Sequence, residues 1–316
     1  VSNTIDFITI GTLGNATDFG DLTVVRMGPK GAGSTTRAYS MAGSGNNGFT
    51  DYGTHCDTVL IATTGNATDY GDLTVGRSGL AACSSSTRGL FGGGYASASY
   101  SNIIDYVTIS TIGNAIDFGN LTVAWYAGDD NASVNVIDYV TIASTGNAID
   151  FGNSTSSVTY GLAACGSSTR GLAGGGRGSS NETVSTDYIT ISSTGNGTDF
   201  GDLTVARREL GACSSSLRAV FAMGDDAAGS VSNHIDYFTI ATTGNAIDFG
   251  NLTINGANGS GTSNSVTGVF AVLQSTNNNT INSITIASTG NASDFGDLAT
   301  AMFSNAACSD SHGGLS

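Results

Sequence analysis

The sequence predicts an all-β fold, a seven-bladed β-propeller of four-stranded antiparallel blades in a single domain spanning residues 1–316. Three observations predict this fold. One stretch of strand, turn and strand occurs seven times with few changes, which is typical of propellers and solenoids. Each complete repeat divides into four short strand-like segments. Lysine and glutamate, which favour exposed helical positions, are almost absent.

The repeat is clearest in residues 137–152, which read IDYVTIASTGNAIDFG. With its Gly-Asn dipeptide as the anchor, successive asparagines lie 51, 48, 33, 49, 49 and 46 residues apart. A period of about 48 residues predicts a propeller blade or a solenoid turn. We number the repeats 1 to 7 by these asparagines, which are Asn15, Asn66, Asn114, Asn147, Asn196, Asn245 and Asn291.

The composition favours a packed β-protein and argues against two classes of partner. Hydrophobic residues make up 39% of the chain, which is enough for a packed core despite the repetition. The formal net charge of −15 argues against nucleic acid, because phosphate binding needs a basic surface. No apolar run approaches the roughly 18 residues of a membrane-spanning helix. We therefore expect neither nucleic acid as a partner nor insertion into a membrane.

One complete repeat, residues 77–124, shows the four predicted strands. Strands a to d read SGLAACSS, GLFGGG, IIDYVTIS and DFGNLTVA, at residues 78–85, 89–94, 103–110 and 117–124. Strand a consists of small residues, as expected for the innermost strand, where the blades converge. Strand c has apolar side chains on both faces, as expected for a sheet covered by its neighbours. The Gly-Asn dipeptide predicts a tight reversal between strands c and d.

Each repeat also contains an aspartate followed by an aromatic residue. The aromatic residues are Phe19, Tyr70, Phe118, Phe151, Phe200, Phe249 and Phe295. We expect them to pack as wedges between blades, each contributing about 1.5–3 kcal/mol when fully buried. The preceding aspartate has three alternative roles. It caps its own turn, pairs with the arginine of the STR motif, or binds calcium; DFGD lacks the acid spacing of a known calcium loop, so no metal is expected.

The two ends of the chain and one short repeat bear on how the propeller closes. The chain begins VSNTIDFITI, which matches strand c, and ends AACSDSHGGLS, which matches strands a and b. This predicts that the terminal strands pair in one blade and close the ring, removing a sheet edge. The repeat between Asn114 and Asn147 is about 15 residues short, since 48 − 33 = 15. Either that blade lacks its inner strand or a segment is missing, and we expect Trp125 to pack into the gap.

The sequence contains no recognisable catalytic or metal-binding constellation. His55, His234 and His312 lie at non-equivalent positions of the repeat and lack the spacing of metal ligands. Four of the five cysteines occupy equivalent positions in different repeats, which is typical of small buried side chains and not of a disulfide framework. We therefore expect no enzymatic activity, no cofactor and no metal. A carbohydrate-active or oxidase-type propeller enzyme is a distant alternative.

The repeat resembles that of the kelch family. The segments that carry the resemblance are RSGLAACSSSTRGLFGGG and IIDYVTISTIGNAIDFG, with a strand that ends in a glycine doublet followed by a tyrosine strand and a later aromatic residue. The near-identical repeats are similar to kelch-like repeat proteins of marine bacteriophage virions and tails. This resemblance implies a structural or adhesion role in a virion, on its tail or capsid, with other virion proteins and a host-surface glycan or protein as partners. The alternatives are a secreted protein and a generic kelch-like protein-interaction scaffold.

The loops between strands b and c are the part of the repeat that differs most. They read GSGNNGFTDYGTH, GYASASYSN, GDDNASVNV, GRGSSNETVST, GDDAAGSVSNH and QSTNNNTIN. Loops on a rigid scaffold commonly carry binding, and Asn, Ser, Gly and Tyr suit hydrogen bonding and stacking. The alternative is that these loops are only solvated. The candidate binding residues are Asn46, Asn47, Tyr52, Tyr95, Tyr100, Arg177 and Asp225.

Overall fold

The structure is a computed structural model that describes residues 2–44, 52–96, 99–123, 134–158, 160–226, 228–273, 278–301 and 306–307. All regular elements in these residues are β-strands, arranged as the antiparallel sheets of a β-propeller. The described residues contain no helix with the length and apolar character needed to cross a membrane. The prediction of an all-β propeller with four-stranded antiparallel blades is confirmed, although not with the predicted number of such blades.

In the part of the chain that the structure describes, five sheets have four strands each, which follow one another in the order a, b, c and d. Repeat 2 contains β3 (Lys30–Gly33), β4 (Arg37–Met41), β5 (His55–Leu60) and β6 (Thr68–Asp72). Repeat 3 contains β7 (Ala81–Ser84), β8 (Arg88–Gly92), β11 (Ile103–Thr108) and β12 (Ile116–Asn120). Repeat 5 contains β15 (Ala163–Gly166), β16 (Arg170–Gly174), β17 (Ser185–Thr190) and β18 (Thr198–Asp202). Repeat 6 contains β19 (Gly211–Ser214), β20 (Arg218–Ala222), β21 (Ser232–Thr239) and β22 (Ile247–Gly256). Repeat 7 contains β23 (Ser260–Ser263), β24 (Thr267–Ala271), β25 (Thr280–Thr285) and β26 (Ser293–Asp297).

In the described residues, repeats 1 and 4 form sheets of only two strands each, so the prediction of seven four-stranded blades is wrong. Repeat 1 contains β1 (Ser2–Phe7) and β2 (Thr17–Arg26), and repeat 4 contains β13 (Val134–Tyr139) and β14 (Ile149–Val158). Repeat 4 is the repeat that is about 15 residues short, so it has too few residues for four strands. Trp125 lies outside the described residues.

The predicted closure of the ring by strand pairing between the chain ends is also wrong. In the described part of the chain, β1 pairs with β2 and with no strand from the C-terminal end. Ala306 and Ala307 lie near Gly31 of β3 but belong to no strand. The first and last repeats instead meet through hydrogen bonds between separate sheets, since Gly14 N–H donates to Phe295 O at 2.8 Å and Ala16 N–H donates to Asp297 O at 2.8 Å.

The Gly-Asn dipeptide joins neighbouring sheets. In repeat 2, Gly65 N–H donates to Phe19 O of repeat 1 at 2.7 Å, and Asn66 Oδ1 accepts from Asp21 N–H at 3.1 Å. The other asparagines accept in the same way from the backbone N–H groups of Asp72, Asn120, Asn153, Asp202, Asn251 and Asp297. The predicted tight reversal is wrong, because the connection between β5 and β6 spans residues 61–67. The dipeptide recurs because it makes the contact between repeats.

The aromatic wedges are buried as predicted. All seven are between 1% and 8% exposed. In five repeats the wedge also meets an aromatic ring of strand c edge-on, with ring centroids 5.6–5.9 Å apart. The glycine after each wedge lies against the Gly-Asn turn of the next repeat. A Cβ atom added to Gly250 would lie 2.4 Å from Gly290 O, so only glycine fits there.

The structure shows what the aspartate before each wedge contacts. In five repeats its carboxylate accepts a hydrogen bond from the backbone N–H two residues later, at 2.9–3.0 Å. Both residues lie in strand d, at a register shift of the sheet, so the aspartate bonds to its own backbone within the strand and not in a turn. The arginines of the STR motif point elsewhere. Arg88 and Arg170 lie over the rings of Tyr106 and Tyr188, 4.6 Å from each ring centroid.

The structure also contains three buried ion pairs that sequence analysis missed. Each joins an arginine, at the end of strand d or after it, to an aspartate in strand c of the next repeat. The pairs are Arg26 with Asp57, Arg77 with Asp105, and Arg207 with Asp236. The Arg207 guanidinium lies 2.7 Å from Asp236 and also donates to His234 O at 2.8 Å. The hydroxyl of Thr204 donates to the same aspartate at 2.6 Å, which leaves both carboxylate oxygens with partners.

Candidate binding surface

The loops before strand a and the loops after strand b meet on one face of the propeller. In repeats 2, 3, 5 and 6, one residue of the b–c loop pairs through its backbone with two other residues. One partner lies in the preceding loop, which leads into strand a, and the other lies on the return, the part of the b–c loop that leads back to strand c. The middle residues are Ser44, Tyr95, Arg177 and Asp225. Their partners in the preceding loop are Met27, Ser78, Tyr160 and Arg208, and their partners on the return are Tyr52, Tyr100, Glu182 and Val231. We call these residues the variable ladder.

Backbone hydrogen bonds hold the variable ladder together. Tyr95 N–H donates to Ser78 O at 2.9 Å, and Asp225 N–H donates to Arg208 O at 2.9 Å. The residue before each middle position is a glycine with φ between 93° and 122°, in the left-handed region that favours glycine. Because the backbone makes these contacts, the side chains are free to differ between repeats.

Five of the seven predicted binding residues lie on the variable ladder. Tyr95, Arg177 and Asp225 occupy its middle position, while Tyr52 and Tyr100 occupy the return position. Asn46 and Asn47 lie outside the described residues, so their placement stays a prediction. These five residues are far apart in the sequence, but they occupy two equivalent positions of the ladder in different repeats.

Two groups of side chains form on this frame. The tyrosine patch consists of Tyr52, Tyr95 and Tyr100, between repeats 2 and 3. The ring centroids of Tyr52 and Tyr95 are 5.7 Å apart, and those of Tyr95 and Tyr100 are 5.6 Å apart. All three side chains are half-buried. The patch brings three of the predicted residues into direct contact.

The charged patch consists of Tyr160, Arg177, Glu182, Arg208 and Asp225, between repeats 5 and 6. Arg208 lies at its centre and donates to Tyr160 Oη at 2.7 Å and to Glu182 Oε1 at 3.0 Å. A carboxylate oxygen of Asp225 lies 3.7 Å from the same guanidinium. Sequence analysis missed Tyr160, Glu182 and Arg208. The scarcity of glutamate was a usable signal, because Glu182 is one of only two in the chain.

The second glutamate, Glu209, lies beside the charged patch in a strained backbone conformation. Its φ is 58°, at a position where repeats 2, 3 and 5 have glycine and repeat 7 has Asn258. The left-handed region costs a residue with a side chain about 1–2 kcal/mol. Burial, followed by the neighbouring carboxylate of Asp225, raises the pKa of the Glu209 carboxyl.

The chemistry of the ladder is that of a contact surface. It offers aromatic rings, hydroxyls and paired charges on a rigid backbone, which suit the binding of a ligand surface. In the part of the chain that the structure describes, no three His, Cys, Asp or Glu side chains are grouped so that they could hold a metal ion. A comparison with known proteins found no family model that matches the chain and no curated protein that matches it.

Proposed function

We propose that this protein is a non-enzymatic recognition module, a structural or adhesion component of a virion that binds a host-surface glycan or protein through its variable ladder. The observation that carries the proposal is the contrast between backbone and side chains on the ladder. Four repeats use the same backbone pairing to present serine, tyrosine, arginine or aspartate at one position. Substitutions on such a frame can change the ligand that is bound without changing the fold.

The rigidity of the frame supports a role in binding. Buried wedges, buried ion pairs and the Gly-Asn contacts hold the sheets that carry the ladder. A preorganised surface loses little conformational entropy when a ligand binds, which favours affinity. Functional residues are often carried by variable loops on a rigid scaffold of this kind.

The resemblance of the repeats to kelch-like proteins of bacteriophage virions and tails supports the place of action. A particle carries many copies of its surface proteins, so individually weak contacts add up to strong attachment. In this setting the partners are other virion proteins on one side and the host surface on the other. The protein acts in the extracellular particle.

The experiment that tests this proposal is binding of labelled full-length chain to intact cells from a panel of marine bacterial strains. The test variant carries Tyr95→Ser, Arg177→Ser and Asp225→Ser together. The matched control carries Leu13→Ser and Ile112→Ser, two exposed side chains in the connections that contain the Gly-Asn dipeptides. We expect the test variant to bind at least about tenfold more weakly and the control to bind like the unmodified chain. Equal binding by both variants would contradict a role for the ladder.

A second candidate function is a generic kelch-like scaffold that binds a protein partner. The charged patch favours it, because Arg177, Glu182, Arg208 and Asp225 form a group of alternating charges suited to an oppositely patterned protein surface. Salt dependence separates the two candidates. Binding through the charged patch weakens as the salt concentration rises, whereas binding through the tyrosine patch changes little.

A further inference from the structure

We infer that the tyrosine patch binds a neutral saccharide, with a pyranose ring stacked on one tyrosine ring at a time and in contact with the neighbouring rings. This inference rests on the proposed function, since it names the ligand class of one part of the same surface. Four lines of argument support it: the placement of aromatic residues in the fold, the geometry of the three rings, their rigid support and the local charge.

The fold separates its phenylalanines from its loop tyrosines. Every phenylalanine among the described residues lies in a strand of the repeated sheets. The described aromatic residues outside those sheets are all tyrosines, namely Tyr52, Tyr95, Tyr100 and Tyr160. An aromatic ring that only fills space would serve as well without its hydroxyl. A ring that stays partly in water and contacts a polar ligand benefits from the hydroxyl at its edge.

The three rings form one continuous surface that is separate from the core. Neighbouring ring planes are inclined by 60° and 62°, so the rings are tilted against one another and do not form a flat stack. The hydrophobic cluster beneath it, in repeats 2 and 3, includes Tyr39, Tyr70 and Phe91 but none of the patch tyrosines. The hydrophobic cluster therefore does not depend on the patch rings, each of which is half-buried.

Backbone contacts hold the three tyrosines in place. Tyr95 pairs with Ser78 on one side and with Tyr100 on the other, within the hairpin of β9 (Tyr95–Ala96) and β10 (Ser99–Tyr100). Tyr52 O lies so close to Gly76 that an added Cβ would be 2.3 Å away. Rings on a fixed backbone lose little freedom when they bind a ligand.

The absence of charged ladder residues at the tyrosine patch disfavours the binding of charged ligands. The ladder residues of repeats 2 and 3 are all uncharged: Met27, Ser44, Tyr52, Ser78, Tyr95 and Tyr100. The equivalent positions of repeats 5 and 6 include four charged residues, which form the charged patch. The formal net charge of the chain, −15, repels an anionic ligand further. A neutral ligand fits the tyrosine patch better than an acidic saccharide or a charged peptide.

A neutral pyranose matches these features. One face of its ring carries axial C–H bonds, which pack on an aromatic surface, and its rim carries hydroxyls, which exchange hydrogen bonds with tyrosine hydroxyls, serines and backbone groups. An open patch that contacts one or two sugar rings gives weak affinity, in the millimolar range for a free saccharide. Many copies on one particle would raise the effective affinity.

The test is a ligand-observed saturation-transfer NMR titration of the full chain with free sugars. The neutral probes are glucose, galactose, mannose, N-acetylglucosamine and their disaccharides, and the acidic probes are glucuronic acid and N-acetylneuraminic acid. We expect saturation of the axial ring protons of at least one neutral sugar. Tyr95→Ala and Tyr52→Ala should each weaken that binding at least about tenfold, while Tyr95→Phe, which keeps the ring and loses only the hydroxyl, should weaken it by less.

Ile112→Ser is the control, because Ile112 is an exposed side chain in a connection that contains a Gly-Asn dipeptide and lies outside the variable ladder, and this variant should bind the sugar like the unmodified chain. Circular dichroism and the melting temperature verify that each variant is folded. The inference is overturned if no neutral sugar shows saturation, if the alanine variants bind as well as the unmodified chain, or if an acidic sugar binds as tightly. It is also overturned if a host protein binds through these tyrosines and no sugar competes.

The outcomes separate this inference from the proposed function. If the triple ladder variant loses cell binding but no sugar binds the tyrosine patch, the proposed function stands and the saccharide inference fails. If a neutral sugar binds through Tyr95 but cell binding does not depend on the ladder, the saccharide inference stands and the proposed function fails.

Discussion

The Gly-Asn contacts and the variable ladder both join neighbouring elements of the propeller, but they differ in sequence tolerance. The Gly-Asn contact uses an asparagine side chain, and glycine is the only residue that fits against it, as at Gly250. The ladder uses backbone hydrogen bonds, and its middle position holds Ser44, Tyr95, Arg177 or Asp225. The sequence is constant where an asparagine side chain takes part in the contact, and it varies where the pairing between repeats runs through the backbone.

Arg207 and Arg208 show the same difference within one dipeptide. Arg207 is completely buried, pairs with Asp236 and has counterparts at Arg26 and Arg77. Arg208 is partly exposed and belongs to the variable ladder. Adjacent residues of the same type therefore belong to the buried interior in one case and to the proposed binding surface in the other.

The largest expected effect comes from removing the acidic partner of the buried arginine. Asp236→Ala should destabilise the fold by about 3–5 kcal/mol, because Arg207 would keep its charge without a partner in the core. Asp225→Ala, which removes a partner of Arg208, should cost about 1 kcal/mol or less, since that pair is partly exposed. Urea unfolding of both variants measures the difference. Similar losses for the two would refute the distinction between the two arginines.

The second effect tests the close contact between repeats. Gly250→Ala should cost about 2–4 kcal/mol, because the new Cβ would overlap the backbone of Gly290 and the position has a φ of 141°. Gly244→Ala is the matched control. Gly244 has a φ of 151° and no atom within 4 Å of an added Cβ, so its loss reflects backbone strain alone and should be smaller. Equal shifts in urea midpoint would mean that the contact between repeats is not what requires glycine.

The third effect concerns the dependence of stability on pH, which should involve a tyrosine of the core and not a tyrosine of the ladder. Burial raises the pKa of Tyr39 from 10.0 to about 12, and its hydroxyl donates to Ile109 O at 3.0 Å. Because the folded state keeps the proton longer than the unfolded state does, this tyrosine's contribution to stability is complete below pH 10 and is lost as the pH rises towards 12. Tyr39→Phe should therefore flatten the fall in melting temperature across this range.

Tyr100→Phe serves as the ladder control for the pH experiment. It should leave the alkaline fall of the melting temperature as steep as in the unmodified chain. If Tyr39→Phe and the unmodified chain lose stability in parallel between pH 10 and 12, another group controls the alkaline limit.

The smallest effect concerns the ladder itself. Tyr95→Ser introduces the residue that repeat 2 carries at the same position, Ser44. The backbone pairing with Ser78 does not depend on the side chain, so the loss of stability should stay below about 1 kcal/mol. Thermal and urea unfolding check this value. A loss as large as that of Gly250→Ala would show that ladder side chains also hold the fold.

Several predictions from the sequence are confirmed because they depend on local patterns. The strands of repeat 3 lie within or close to the predicted segments, and all seven wedge residues are buried. The candidate residues Tyr95, Arg177 and Asp225, which were chosen from the variable b–c loops, share one ladder position, while their role in binding stays a prediction. Alternating apolar residues and turn glycines carry this information within a few residues of one another.

Other predictions were wrong or incomplete because they depend on distant parts of the chain. The repeat count suggested seven four-stranded blades, but repeats 1 and 4 form two-stranded sheets in the described residues. The Gly-Asn dipeptide looked like a tight reversal, and its role became clear only from its contact with another repeat. The pairing of Arg207 with Asp236 has no local signature, because the partners lie 29 residues apart.

The sequence by itself determined the strands, the wedges and the position of the variable loops, because each depends on residue types at short and regular spacing. Only the tertiary structure decided which residues meet across repeats. Asn15 accepts a hydrogen bond from Asp297, 282 residues away, and Tyr52 of repeat 2 contacts Tyr95 of repeat 3. Such contacts follow from how whole sheets pack side by side, and that packing depends on the shape of every buried side chain between them.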